Sequence, residues 1–310
     1  MGSHTHPCHD YSDLYETFMI GYRYFRNNEV LWRKHLGTLL PLSMPHCDAG
    51  VSPSRAMVLL AIHRAYLIRW ESDFDCETPT EWWHVIKSEP EELEALSANT
   101  RSKVRRGDKR FLVEPASRKQ ILETGHAVYC KAYERYDTFE PMMTREDFCE
   151  AIMALPAETE FWVVRHRQSG EMVAFSENLV SDDACFYLSI WSTPDSLRQY
   201  ASYALIYRMN LHYLNERGLR YVSDGARSIS HNTGIHDFLI ERFGFRKAYA
   251  RLHVVYFPLL SPVVFALYPF RQRISQAQGP LCQKVNILLK QEAIRRSFKR
   301  HRTSQRALAN

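Results

Sequence analysis

Two carboxylates and one imidazole lie in sequence settings where they could move protons. Glu177 lies in the strand-like run VAFSENLV, where apolar neighbours would desolvate its carboxylate and raise its pKa. Asp224 ends the strand-like run YVSDG, and His231 follows in a polar loop before a helical segment. Since such groups can act as general bases or acids, we take these three as candidate catalytic residues. The competing interpretations are a Glu177 paired with an arginine and a solvent-facing His231.

The elements that must position these residues begin with three apolar runs separated by short polar turns. This pattern predicts antiparallel strands over residues 159–167, 171–180 and 184–191. Helical spacing of apolar residues predicts helices over residues 91–111, 118–135, 144–155, 197–217 and 231–243. Thr144 and Ser230 are expected to cap their helices, and Gly107 to end or weaken the first. Further strands are expected at 111–115, 219–225 and 246–257. From residue 118 onward this order is that of an α+β fold with a mixed sheet.

The first 95 residues are expected to be β-rich. The apolar run MVLLAIHRAYLIRWES, residues 57–72, contains Val, Ile, Tyr and Trp, which favour strands. EWWHVIKS, residues 81–88, is too short for its period to distinguish a strand from a helix.

Composition and charge exclude several classes. The chain of 310 residues is 45% hydrophobic and 24% charged, which excludes disorder, collagen and coiled coil as whole-chain classes. Net charge is +5, yet residues 271–310 hold ten basic residues and one acid, so that tail carries +9 and residues 1–270 carry −4. Such a tail suits RNA or an anionic membrane surface, and the alternative is a solvated basic end. A second basic run could meet phosphate, or be a solvated helix face, which we favour: Arg101, Lys103, Arg105, Arg106, Lys109 and Arg110.

Cysteine usage and hydropathy indicate a cytoplasmic protein. The seven cysteines are odd in number and form no CxxC pair, as in reduced proteins. The chain opens on a polar segment rather than a secretory signal. That opening segment contains five residues of the types that bind metal ions, but their spacing fits no closed zinc site: His4, His6, Cys8, His9 and Asp10. Three prolines interrupt the apolar stretch 252–270, so we expect a strand and a short helix there, with peripheral contact to the inner membrane as an alternative to a purely cytoplasmic location.

Two segments, together with this order of elements, resemble the GNAT superfamily of acyltransferases. They are LRQYASYALIYRMNLHYLNERGLRYVSDG, residues 197–225, and HDFLIERFGFRKAYARL, residues 236–252. SANTRSKVRRGDKRFLVE and FLIERFGF are most similar to the branch related to Fem-type peptidoglycan aminoacyltransferases, which implies a bacterial protein. The resemblance implies an α+β fold with a mixed, mostly antiparallel sheet flanked by helices over residues 96–257. A β-rich extension, residues 1–95, would precede it as a reduced first GNAT-like copy, and a basic helical tail, residues 258–310, would follow.

The resemblance also implies acetyl-CoA or another acyl-CoA as co-substrate, with no metal ion. In the superfamily, the helix that begins near residue 199 holds the cofactor pyrophosphate, and the strand before it pairs with the pantetheine arm. Free N–H groups at a helix N-terminus suit phosphate. The implied cofactor-binding residues are Ser189, Trp191, Arg198, Gln199, Ser202, Tyr203, Ala204 and Asn232.

Three positions depart from the superfamily pattern. Ser202 replaces the central glycine of the phosphate loop Q/R-x-x-G-x-G/A. Ile240 stands where many members have the tyrosine that protonates the leaving thiolate, and Asn232 is one residue from the usual asparagine position. The general acid is therefore another residue, or the thiolate leaves unassisted, or the donor is not a thioester.

The function implied by the resemblance is N-acyl transfer from acyl-CoA to a small-molecule or cell-envelope amine. Such an enzyme holds the acyl carbonyl near the amine, removes a proton and stabilises an oxyanion. The basic tail and Ile240 favour an alternative, a Fem-like transferase that takes an amino acid from aminoacyl-tRNA for a cell-envelope precursor. Ser202 and Ile240 also allow a third interpretation, a non-catalytic binding module.

Overall fold

The architecture comes from a computed structural model of the chain. It describes residues 18–19, 22–27, 30–35, 37–135, 141–229, 234–277 and 279–308. His231 and Asn232 lie outside the described residues, as do Ser230 and the histidines near the start of the chain.

The described strands and helices alternate along the chain in an α+β order. The strands are β1 (Phe18–Met19), β2 (Tyr22–Asn27), β3 (Val30–His35), β4 (Thr38–Pro41), β5 (Leu67–Cys76), β6 (Trp83–Lys87), β7 (Phe111–Ala116), β8 (Thr159–His166), β9 (Met172–Val180), β10 (Ala184–Ser192), β11 (Tyr221–Ala226) and β12 (Arg246–Tyr256). The helices are α1 (Pro53–Ile62), α2 (Ala98–Arg110), α3 (Arg118–Tyr133), α4 (Arg145–Met153), α5 (Pro194–Arg198), α6 (Ala201–Asn210), α7 (Gly234–Phe243), α8 (Leu260–Leu267), α9 (Arg271–Gln276) and α10 (Pro280–Leu308). A π-helical turn, Leu211–Glu216, continues α6, and a 3₁₀ turn, Tyr268–Phe270, joins α8 to α9.

The chain divides into two compact units. The first comprises the described residues of Met1–Trp83, Ile229–His231 and Tyr249–Asn310, and the second those of His84–Ser228 and Asn232–Ala248. The domain boundaries expected from the sequence, after residues 95 and 257, stay predictions.

The first unit is a sheet covered by helix α1. Its strands follow the order β1-β2-β3-β4-β5-β12, and only the β4–β5 pair is parallel. The buried cluster between the sheet and α1 includes Trp32, Leu39, Leu59, Leu60 and Ile68. None of the described helices combines the length and the apolar character needed to cross a bilayer.

The second unit is a mixed, mostly antiparallel sheet with helices on both faces, as expected from the sequence. Its order is β6-β11-β10-β9-β8-β7, in which only β10 and β11 are parallel. Helices α3 and α4 cover one face, where Ile121 of α3 and Phe148 of α4 form a buried cluster with Phe161 and Phe175 of the sheet. Helix α6 covers the other face, where Met209 Sδ lies 3.1 Å from Ser176 Oγ.

The meander β8–β9–β10 and the cap of α4 confirm two local predictions. The three strands pair antiparallel across the turns expected at residues 168–170 and 181–183. Thr144 accepts a hydrogen bond from the Asp147 N–H, and Asp147 returns one to the Thr144 N–H, which completes a capping box. Both features depend on neighbouring residues alone, so the sequence carries the full signal.

The run at residues 57–72 was wrongly expected to be entirely strand. Its first part belongs to α1, because Ser52 caps that helix and Pro53 occupies its first turn. Ala56, Leu59 and Leu60 are buried at helical spacing. An apolar run of this length fits a buried helix as well as a strand, so its periodicity could not decide. Only the second part, from Leu67, is strand.

Two helix boundaries also differ from expectation. Gly107 does not end α2, which continues to Arg110. The helix expected over 197–217 is interrupted at Tyr200, whose backbone adopts the left-handed conformation with φ 73°. Tyr200 therefore separates α5 from α6 and gives α6 an N-terminus of its own.

Candidate active site: a cleft between two strands

Strands β10 and β11 part after only three pairs of residues. Pairing runs from Ala184↔Tyr221 to Phe186↔Ser223, and β10 continues to Ser192 with no further β11 partner among the described residues. A register shift on β10 lies between Tyr187 and Ser189, which leaves Leu188 as a bulge residue. A bulge bends its strand, and this one in the β9–β10 pairing lies just where the β10–β11 pairing stops, so we take the space between the two strands as the candidate cleft.

Glu177 lies on the face of the sheet that carries α3 and α4. Its neighbours Ser176 and Asn178 both contact Met209 of α6, on the opposite face. Since side chains alternate along a strand, Glu177 points away from α6. There it faces Ser189 on β10, whose hydroxyl donates a 3.1 Å hydrogen bond to Glu177 Oε2.

Burial controls the protonation of Glu177. The residue is 8% exposed, and desolvation raises the pKa of its carboxyl from 4.5 to about 7. Hydrogen bonds from Ser189 and Trp191, and the charge of Arg118, oppose this rise. The carboxyl is therefore part protonated and part ionised near neutrality, as a general base requires.

Arg118 is held beside this site by the end of α4. Its guanidinium donates to the carbonyl oxygens of Leu155 at 3.1 Å and Pro156 at 2.8 Å. Burial lowers its pKa, and the charge of Glu177 partly restores it. Arg118 is thus a fixed positive charge whose position the sequence did not reveal, because it depends on the packing of α3 against α4.

Asp224 forms a pair with His236 where the strands part. Asp224 directly follows Ser223, the last residue of β11 that pairs with β10. Nε2 of His236 lies 3.3 Å from Asp224 Oδ2, and the two side chains are 10% and 9% exposed. Burial raises the pKa of the Asp224 carboxyl, while the hydrogen bond and charge of His236 lower it. A carboxylate in this position can orient an imidazole for proton transfer.

The Asp224–His236 pair lies on the α6 side of the sheet. His236 belongs to α7, whose Phe238 packs edge-on against Tyr203 of α6 with ring centroids 4.9 Å apart. The sequence directed attention to His231, and His236 was missed because it lies within the apolar spacing of a helix. Leu239 and Phe243, three and seven residues later, are buried beside it on that face. This spacing was the only signal that His236 points inward.

The N-terminus of α6 lies just after β10 and α5. Gln199 closes α5, with its N–H donating to the Ser196 carbonyl at 3.1 Å. The N–H groups of Tyr203 and Ala204 bind the Tyr200 carbonyl at 3.2 and 3.3 Å. Ser202 lies before them in the first turn, where helix N–H groups have no partner within the helix. This turn can therefore accept an anion.

Two cations of α2, Lys103 and Arg106, lie beside this turn, although most of the basic run is exposed, as expected of a solvated helix face. Nζ of Lys103 lies 3.3 Å from the Tyr203 hydroxyl and 5.1 Å from the centroid of the Tyr203 ring. The Arg106 guanidinium lies 5.9 Å from the Tyr200 ring. Together with the helix N-terminus, these donors have the chemistry that a diphosphate needs. Arg101, in contrast, binds the carbonyls of Glu94 and Leu96.

Gly107 allows α2 to approach α6 this closely. A Cβ at Gly107 would lie 2.6 Å from the Tyr200 carbonyl oxygen and 3.0 Å from the Ala204 Cβ. No side chain fits in that space without a shift of backbone. The glycine therefore serves helix contact rather than helix termination.

Two other predicted binding residues, Arg198 and Trp191, make contacts with protein side chains. Arg198 forms an ion pair with Asp195 on its own helix, and its side chain is 73% exposed. Trp191 packs edge-on against Tyr129 of α3, with ring centroids 4.8 Å apart, and contributes to the environment of Glu177.

A buried polar chain lies beneath the cleft. The Tyr187 hydroxyl donates to Asn210 Oδ1 at 2.8 Å, and Asn210 Nδ2 donates to Glu91 Oε2 at 2.6 Å. Lys87 Nζ lies 3.7 Å from the same Glu91 oxygen and donates to the Phe243 carbonyl at 2.8 Å. Burial raises the pKa of the Glu91 carboxyl, and Lys87 opposes this. Within the described part of the chain, no group of three or more His, Cys, Asp or Glu residues could hold a metal ion.

Comparison with known proteins identifies part of the chain. Residues 96–227 match the model of an acetyltransferase (GNAT) domain. The structure of L-PGS from Bacillus licheniformis is 15% identical with a TM-score of 0.49, over 88% of this chain and 89% of that one. FemX is 15% identical with a TM-score of 0.48, over 74% and 86%. A GCN5-related N-acetyltransferase from Kribbella flavida is 11% identical with a TM-score of 0.39, over 77% and 90%.

No curated protein is similar enough to the chain to count as a match. The family model covers less than half of the 310 residues, and it spans α2 to β11, the elements that form the cleft and the anion-accepting turn. Residues 96–227 are therefore similar to an acetyltransferase (GNAT) domain.

Proposed function

We propose that the protein transfers an acyl group from an acyl-CoA thioester to an amine. The observation that supports this proposal is that the cleft and the anion-accepting turn are joined by one strand and one short helix. Strand β10 runs through the cleft and leads through the short helix α5 to the first turn of α6. An extended donor that lies along β10 would therefore bring its phosphates to Lys103 and Arg106.

The residues present fit such a donor. From Tyr187 to Ile190, β10 has no further partner on the described part of β11, and this edge would offer backbone hydrogen bonds to an extended arm, as in strand addition. Ser202 is small enough to let a phosphate approach the N–H groups of α6. When bound, the donor would supply an activated acyl carbon as a thioester.

Proton handling would be divided between the two faces of the sheet. Glu177, on the α3–α4 face, would accept the proton of the amine. His236, oriented by Asp224 on the α6–α7 face, would donate the proton that Ile240 cannot. His236 precedes Ile240 by four residues on α7, so the two side chains share a helix face.

A second candidate donor is aminoacyl-tRNA. Arg105, Lys109 and Arg110 are exposed on α2, so positive charge extends beyond the turn that a diphosphate would occupy. A longer polyanion would use this charge, and its binding would weaken steeply with added salt.

Thermal unfolding with CoA, acetyl-CoA and charged tRNA tests the proposal. At a hundredfold excess over its dissociation constant, a ligand that binds the folded state stabilises it by about 2.7 kcal/mol. We expect this stabilisation with CoA for the wild type and for Arg105→Ala, the matched control on α2. We expect it to decrease in the Lys103→Ala/Arg106→Ala variant and to disappear in Ser202→Trp.

Each outcome selects one donor. Stabilisation by CoA that does not depend on these residues contradicts the binding mode proposed above. Stabilisation by tRNA alone, sensitive to Arg105→Ala, favours the second candidate. If none of these ligands stabilises the protein, the result favours the third interpretation, a non-catalytic binding module.

A further inference from the structure

The segment from Leu259 to Phe270, which comprises α8 and the following 3₁₀ turn, exposes four large apolar side chains, which we call the apolar ridge. The exposed fractions are 78% for Leu259, 49% for Val263, 49% for Phe265 and 52% for Phe270. Val264 and Tyr268, between them, are 2% and 5% exposed and fix the segment to its own unit. The ridge is therefore held rigidly outward, and clustered exposed apolar residues of this kind mark interaction surfaces.

Positive charge lies directly beside the ridge. The Arg296 guanidinium lies 3.8 Å from the Tyr268 ring centroid and 5.3 Å from that of Phe265. The Arg271 guanidinium lies 4.6 Å from the same Tyr268 ring. Glu292 partly compensates the charge of Arg296, so Arg271 is the cation that places positive charge next to the apolar ridge.

Negative charge is absent from this stretch of sequence. Residues 249–291 contain no Asp or Glu, and their basic residues are Arg251, Arg271, Arg273, Lys284 and Lys290. The next acid, Glu292, has a fully buried side chain that pairs with Arg295 and Arg296. It therefore presents no charge to a partner.

A groove of about 660 Å³ adjoins the ridge within the same unit. Its walls include Met57, Val255, Pro258, Pro262 and Phe265, and Arg295 is its charged member. An apolar groove with a cation at its wall suits a molecule that has an apolar chain and an anionic head.

We propose that the apolar ridge docks the protein on the surface of an anionic phospholipid bilayer. Leu259, Val263 and Phe270 would enter the boundary between head groups and acyl chains, and Arg271 and Arg273 would contact lipid phosphates. RNA fits this surface less well, because two of its four apolar side chains, Leu259 and Val263, are aliphatic and offer no stacking for bases. The ridge lies within the apolar stretch 252–270, where the sequence allowed peripheral membrane contact, and at the start of the segment 258–310 that it described as a basic tail.

Sedimentation of the full chain with vesicles tests the proposal. We expect binding to phosphatidylcholine vesicles that contain phosphatidylglycerol, and at least tenfold weaker binding to pure phosphatidylcholine. Leu259→Glu/Phe270→Glu should abolish binding, whereas Met153→Glu, at a residue 61% exposed in the other unit, should leave it unchanged. Arg271→Gln and Arg273→Gln should each weaken it about fivefold, which corresponds to roughly 1 kcal/mol per cation.

Several results would overturn the proposal. They are equal affinity for neutral and anionic vesicles, no vesicle binding by the wild type, and full binding by the ridge variant. Gel filtration of the wild type and the ridge variant tests the other possible occupant of the ridge, a second copy of the chain. If the wild type self-associates, the ridge variant is monomeric and neither binds vesicles, the ridge is an interface between copies of the chain.

Discussion

The Ser189 hydroxyl lies 3.1 Å from Glu177 Oε2 and donates to it across the β9–β10 pair. This bond favours the ionised carboxylate, whereas burial favours the protonated form and has the larger effect. The resulting pKa of about 7 is thus a balance that a single hydroxyl helps to set.

Ser189→Ala should therefore shift the pH dependence of transfer. Hydrogen bonds to charged groups contribute about 1.5–3 kcal/mol, so the pKa of Glu177 should rise by about one to two units. We expect the rising limb of kcat/KM against pH, with a midpoint near 7 in the wild type, to move to higher pH. An unchanged midpoint would mean that another group is the base.

Glu177→Gln should remove a pH dependence of stability. The carboxyl binds its proton more tightly in the folded state, so its contribution is fully present below about pH 4.5 and is lost as pH rises through about 7. From 4.5 to about 7 the shift corresponds to about 3 kcal/mol. Urea unfolding at pH 5 and pH 8 should show a smaller loss of stability for the variant. Equal losses in both proteins would contradict the raised pKa.

His236→Ala and Asp224→Asn should both impair proton transfer without loss of donor binding. Removal of a general acid typically costs about 10²–10⁴ in rate. We expect kcat to decrease by at least 10², with the dissociation constant of CoA changed little. His212→Ala is the control, since that imidazole pairs with Glu216 at 2.8 Å elsewhere in the unit. If both variants keep the wild-type kcat, the leaving group departs unassisted.

Lys87→Met should destabilise the second unit strongly. The Lys87–Glu91 pair is buried, so loss of the ammonium leaves a carboxylate without its counter-charge, at a cost of about 3–5 kcal/mol. Lys119→Met is a matched control, because Lys119 and Glu123 have the same spacing and a 3.9 Å separation but are exposed. That control should change the free energy of unfolding by less than about 1 kcal/mol. Similar effects of the two substitutions in urea unfolding would show that burial of the first pair has no energetic weight.

Gly107→Ala should destabilise the protein although alanine is the better helix former. The added methyl group would lie 2.6 Å from the Tyr200 carbonyl, which is backbone and cannot rotate away. We expect a cost of about 1–3 kcal/mol and weaker CoA binding, since α2 must move from α6. Gly234→Ala, whose added Cβ would have no atom of the described residues within 4 Å, should be nearly neutral. A more stable Gly107→Ala variant would refute the close contact.

The sequence was informative wherever one segment contained the whole signal. The meander, the Thr144 cap and the strand position of Glu177 depend on alternation, turn residues and capping groups that are close in the chain. The strand prediction for Met57–Ile62 was wrong because a buried helix and a buried strand share the same apolar composition.

The rest of the candidate site depends on contacts between distant segments. His236 meets Asp224 only after α7 packs on the sheet, and Lys103 meets Tyr203 a hundred residues away. Gly107 looked like a helix terminator because the sequence does not show Tyr200 lying against it. Such positions need the fold before their chemistry can be assigned.

The cleft depends on one extra residue in β10, the bulge residue Leu188. β10 carries one residue more between Tyr187 and Ser189 than β9 carries opposite them, and the β10–β11 ladder stops just before this point. Removal of that residue would let β10 run straight and extend the ladder across the opening. No replacement of one side chain by another tests this, so a scan by substitution would pass over the feature, whereas a library of single-residue deletions would detect it.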